Sequence, residues 1–220
     1  MTNPSRFTPS AINPDPILKV AGSLHQRGDL TRSAVRVTGS FRLSGSLDTG
    51  ELHVNGSCRI RQACRARSLR SAGSFRSASL SGGRVDAAGY FAVDDEASVR
   101  SLYAEGALRI GSLLAAETAE LRLRGRSTAG TIRAGGQITV APSSRALAWL
   151  TAPFRRLRCT EVEGDEVELS YTTADRVCGN VVRIGPGCRI GEVRYSADLY
   201  LDPSAIVGSI VREALPGSGE

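Results

Sequence analysis

"RIGPGCRIGEVRYSADLYLDPSAIVGSIV" (Arg183–Val211) states one phrase twice. Slid along itself, it sets Ile184 on Leu201, Pro186 on Pro203, Cys188 on Ala205, Ile190 on Val207, Gly191 on Gly208 and Val193 on Ile210, every offset being 17. The interval is too long for a coiled-coil heptad and too short for most helical repeats. Turn residues meet turn residues and apolar residues meet apolar residues, as expected if one stretch lies on top of the other.

The interval recurs upstream. The phrases "VTGSFRL", "VNGSCRI", "SAGSFRS", "AAGYFAV", "AEGALRI", "ETAELRL" and "AGGQITV" align Gly39, Gly56, Gly73, Gly89, Gly106, Ala119 and Gly136, at steps of 17, 17, 16, 17, 13 and 17. Four positions earlier stand Leu52, Leu69, Val85, Leu102, Ala115 and Ile132; two positions later stand Phe41, Cys58, Phe75, Phe91, Leu108, Leu121 and Ile138. Within a phrase, apolar and polar residues alternate with period two, the mark of a half-buried strand. A helix would be broken at each glycine, at about 1 kcal/mol apiece. The two periods together predict an all-β solenoid of about 17-residue coils, pairing in parallel at about 4.8 Å per coil. Glycine is expected to recur where the backbone bends, because it reaches positive φ without steric cost.

Composition agrees. Aromatics make up 5% of the 220 residues, and 24 are Gly and 9 Pro, so the core has to be built from small and branched side chains. No apolar run approaches the roughly 18 residues of a spanning helix, and no signal peptide is expected. Five cysteines (Cys58, Cys64, Cys159, Cys178, Cys188), odd in number and without a C-x-x-C pair, suit free buried thiols in a cytoplasmic protein. Residues 1–33 read as a leader or loose cap, 34–140 as a first solenoid block, 141–160 as an insertion, 161–212 as a second block and 213–220 as a tail. The insertion "APSSRALAWLTAPFRRLRC" is read either as a loop or short helix on the solenoid flank or as an amphipathic segment touching a membrane or a second subunit.

Charge is uneven. Residues 1–160 carry 23 cations against 11 anions, and residues 161–220 carry 5 against 11. After the third apolar position comes Arg42, Arg59, Arg76, Arg109 and Arg122, which predicts a ladder of guanidiniums. Stacked cations repel. Either Glu51, Asp86, Glu105, Glu117 and Glu120 neutralise them, or the ladder binds an anionic surface together with Trp149, Phe154, Arg155 and Arg156 of the insertion. Without interleaved aromatics, nucleic acid is the least expected of such partners.

Catalytic chemistry has little to draw on, and an enzyme is not expected. The two histidines are His25 and His53, no phosphate-loop motif occurs, and no cofactor or metal is expected. "IGPGCRIG" has the spacing of a hexapeptide acyltransferase, but no histidine lies near it and the six-residue rhythm does not persist. The acids Asp94, Asp95 and Glu96 are consecutive and read as a solvated turn.

The coils, with "VEGDEVELSYTTADRVCGN" (Val162–Asn180) followed by "IGPGCRIGEVRYS" (Ile184–Ser196), resemble the bactofilins, in particular their longer Gram-positive members. That resemblance spans about residues 34–212. It implies a right-handed parallel β-helix that assembles end to end without nucleotide, alone or with a paralogous bactofilin. It further implies a cytoskeletal scaffold serving cell shape, envelope organisation or motility, in the cytoplasm or at the inner face of the membrane. The alternative is an envelope-associated adaptor that binds anionic surfaces without forming filaments. The residues give their own reason for assembly: a solenoid end exposes unpaired backbone groups, and the last repeat is followed by no evident cap. Leu199, Leu201, Val207 and Ile210 are expected to form that end contact.

Overall fold

The computed structural model describes residues 17–143 and 156–213. Nineteen strands, β1 (Ile17–Val20) to β19 (Ile206–Arg212), pair in parallel throughout, and no helix occurs among the described residues. One inward column runs Leu30, Leu47, Cys64, Leu80, Ala97, Leu114, Ile132, Val162, Val177, Val193, Ile210, each residue paired with the next. It is buried from Leu30 to Val193, and its steps along the chain are 17, 17, 16, 17, 17, 18, 30, 15, 16 and 17. Over the described residues the fold is a β-solenoid of about eleven turns, and at about 4.8 Å per turn this stack is about 48 Å long.

Each turn has three sides. Along β5 (Leu47–Val54) the buried residues are Leu47, Thr49, Leu52 and Val54, so the alternation slips by one at Gly50–Glu51. The chain bends there, and both halves still face inward. After Asn55–Gly56 the third side, β6 (Ser57–Ile60), buries Cys58 and Ile60. A second column runs Leu18, Val35, Leu52, Leu69, Val85, Leu102, Ala119, Ile138, Val167, Val182, Leu199. The third side stacks Leu24, Phe41, Cys58, Phe75, Phe91 and Leu108. A fully buried Leu, Ile, Val or Phe contributes about 1.5–3 kcal/mol by leaving water.

The glycine column owes more to stacking than to the bend. Only Gly89 and Gly106 within it have positive φ, 112° and 150°. A Cβ on Gly39, Gly56 or Gly73 would overlap the carbonyl oxygen of Gly22, Gly39 or Gly56, one turn below. The column is glycine because a neighbouring backbone already occupies the side-chain position.

Three expectations need correction. Ile17–Val20 and Ser23–Gln26 already pair into the stack, so residues 17–33 belong to the solenoid rather than to a leader. Leu157–Leu169 pairs with the three strands Ser127–Thr128, Thr131–Ala134 and Gln137–Pro142, so the two blocks are one continuous stack. The repeat alignment slips after Gly106, which pairs with Leu123 rather than standing under Ala119. Ala119 and Ile138 belong to the Leu52 column, Leu121 lies between Ala104 and Val140, and Ile132 continues the Leu30 column. The turns lengthen here: Leu114 pairs with Ile132 and Ala119 with Ile138, so short phrases match better one side of the solenoid away.

Candidate functional site: an apolar end and a basic side

At the last turn the columns reach the end of the described stack. Leu199 and Val207 are half-buried against the core, while Leu201 and Ile210 are 43% and 48% exposed. All four sit on the final circuit, as the sequence places them. Two further residues join them: Ile206 at 57% exposure and Val211 at 39%. Both lie on outward columns that carry arginine one turn below, Ile206 over Arg189 and Val211 over Arg194. Two positions that carry arginine one turn below thus turn apolar on the last rung, where no further coil covers them among the described residues. Sequence alignment matches inward positions and passes over these outward ones; the change from Arg to Ile and Val one repeat further on is the available signal.

The opposite end is milder. Ile17 is 39% exposed, and Leu18 and Leu24 are partly buried against the core.

The arginine ladder forms in part. Arg42, Arg59 and Arg76 pair in successive turns, Ala92 takes the next rung, and Arg109 follows. Arg122 is not on it: it pairs with Glu105 and Ala141 on another side, and its Nε donates to Glu120 Oε1 at 2.7 Å. The expected neutralisation is also redistributed. Glu51 faces His53, Asp86 faces Arg70 and Arg84, Glu105 binds Arg124, and Glu117 faces Arg100. Among the described residues, Arg76 alone within the ladder has an acid partner, donating through Nε and Nη2 to Asp94 at 2.8–3.1 Å. Arg42, Arg59 and Arg109 are exposed and make no ion pair among the described residues. Asp95 accepts from Ser112 Oγ at 2.9 Å, in keeping with a solvated acidic turn.

Of the insertion, Trp149, Phe154 and Arg155 lie outside the described residues. Arg156 is half-buried; its carbonyl accepts the Ser127 N–H at 2.9 Å, and its Nε is buried with no partner among the described residues. Ser143 Oγ donates to Glu105 Oε1 at 2.8 Å and Arg124 Nε donates to the same oxygen at 2.9 Å, which together hold the Glu105 carboxyl below the usual range.

All five cysteines are free thiols. Burial pushes Cys58 and Cys159 up to about 12 and Cys188 to about 11, and raises Cys64 still further. Such thiols are poor nucleophiles and act as small core hydrophobes. Among the described residues no group of three or more His, Cys, Asp or Glu converges on a possible metal position, and no helix is long and apolar enough to cross a membrane.

No family model matches the chain, and no solved structure matches it. A segment of 46 residues is 54% identical to the uncharacterized protein YhbE of Bacillus subtilis (strain 168). The match covers 21% of this chain and 19% of that protein.

Proposed function

We propose that this protein is a structural scaffold of the bactofilin type, a rod that adds further rods at its ends without nucleotide. The observation that carries this reading is the last turn. Leu201, Ile206, Ile210 and Val211 present apolar surface beside the backbone edge of Ile206–Arg212, which has no strand above it among the described residues. An open parallel edge is a template for another strand, and apolar surface at that edge lowers the free energy of covering it. The partner is a second copy or a paralogous chain. Work in cell shape or envelope organisation, in the cytoplasm or along the inner face of the membrane, belongs to the same proposal.

Negative-stain microscopy of the purified protein at physiological salt, with no nucleotide added, tests it. Filaments or sheets are expected from the natural sequence, and single rods from Ile210→Arg with an unchanged circular dichroism spectrum. Single rods from the natural sequence at high concentration would overturn the proposal.

A further inference from the structure

We propose that the early turns of the solenoid carry a binding site for phosphate groups, in a groove of about 170 Å³ lined by His25, Arg42, Leu43, Ser44, Arg59 and Arg61. The site uses none of the apolar residues of the last turn, because it lies on the third side near the first turns, at the other end of the stack from Ile206–Arg212.

Its construction follows from register. His25, Arg42 and Arg59 stand on successive rungs of one outward column, about 4.8 Å apart. Arg61 comes just after β6, two positions beyond Arg59, and its exposed side chain lines the same groove. Three guanidiniums and an imidazole therefore share one small concavity. Like charges this close oppose one another, and at several other places on this molecule a guanidinium is met by an acid: Arg76 by Asp94, Arg124 by Glu105, Arg133 by Glu163. Here it is not. Arg42, Arg59 and Arg61 have no acid partner among the described residues. The carboxylates of the same turns are engaged elsewhere, Asp29 accepting the Ser46 N–H at 2.7 Å, Asp48 facing Arg65 and Glu51 facing His53.

The chemistry selects the ligand. Guanidinium forks match tetrahedral phosphate oxygens, two donors at a time. Ser44, which hydrogen-bonds His25 Nε2 at 3.3 Å, adds a neutral hydroxyl to the floor. Cations on two rungs suit a ligand that presents more than one phosphate, either as a free oligophosphate or as neighbouring lipid headgroups. The lining holds no Phe, Tyr or Trp on which a base would stack.

The test has two arms on the full chain: calorimetric titration with sodium tripolyphosphate, and cosedimentation with vesicles containing phosphatidylglycerol. Arg42→Gln/Arg59→Gln is expected to weaken binding at least tenfold and to flatten its salt dependence. Arg100→Gln/Arg133→Gln, which removes two ion-paired arginines, is expected to leave it within twofold. Binding in either arm with this pattern supports the site, and the responding arm identifies the source of the phosphate. No binding in both arms, or equal losses in the two variants, overturns it.

Discussion

The Phe91 ring stacks on that of Phe75, one turn below, with centroids 5.4 Å apart and 18° between the planes. Both are fully buried in the column that also holds Phe41 and Leu108. Phe75→Ala and Phe91→Ala should each cost about 3–5 kcal/mol. Because the rings touch, the double variant should lose less than the two single losses together. Urea unfolding of the three variants checks both statements; strict additivity would show that the stack adds nothing beyond separate burial.

The glycine column supports a paired prediction. Ala at position 56 would push its methyl into the Gly39 carbonyl, whereas nothing lies within 4 Å of a methyl at position 22, on the first turn. Gly56→Ala should destabilise by roughly 3 kcal/mol or more, since backbone rather than a side chain has to give way. Gly22→Ala should be neutral or stabilising by up to about 1 kcal/mol, through the unfolded chain. Thermal melts decide, and equal effects at the two positions would reject the stacking account.

The thiols predict an alkaline limit. With the folded-state values of Cys58, Cys159 and Cys188 raised from 9.0 to about 12, 12 and 11, folded and unfolded chains are both protonated below pH 9 and stability is full. As pH rises above 9, the unfolded thiols ionise first, so stability falls with pH through the window from 9 to 12. The urea midpoint should drop over that range. At pH 8 a disulfide reagent should reach half-buried Cys178 ahead of Cys58, Cys64 and Cys188, and all five in denaturant.

The last rung supplies a fourth prediction. Ile206→Arg/Val211→Arg restores the residues found directly below, at Arg189 and Arg194. Both positions face outward, so monomer stability should change by less than about 1 kcal/mol. Light scattering should report fewer and shorter assemblies. Unchanged assembly would move the contact away from this end.

How legible the fold is depends on the period. Where the step between rungs stays at 16 or 17, from Leu30 to Leu114 and again from Val177 to Ile210, aligned phrases place Phe41, Cys58, Phe75, Phe91 and Leu108 in correct register. Where the circuit is longer, as from Ala119 to Ile138, the same alignment puts Ala119 and Arg122 on the wrong side. Every side uses similar small apolar residues, and a local match cannot tell one from another. The first turn escapes notice since Ile17–Val20 and Ser23–Gln26 bury only Val20 fully and so alternate weakly. Ion pairing is illegible for a physical reason: the acid that meets Arg76 is Asp94, 18 residues away across a turn, and sequence order does not list that neighbour.

The steps between turns differ widely in chain length, from Val162–Val177 at the short extreme to Ile132–Val162 at the long one, yet every one advances the stack by a single rung. Length along the axis is thus set by the number of circuits and not by the number of amino acids. Duplicating the segment from Leu47 to Ala63 would extend the molecule by one fixed increment, about 4.8 Å, while both tips stay as they are. A protein built this way is a ruler whose graduations can be added or removed singly.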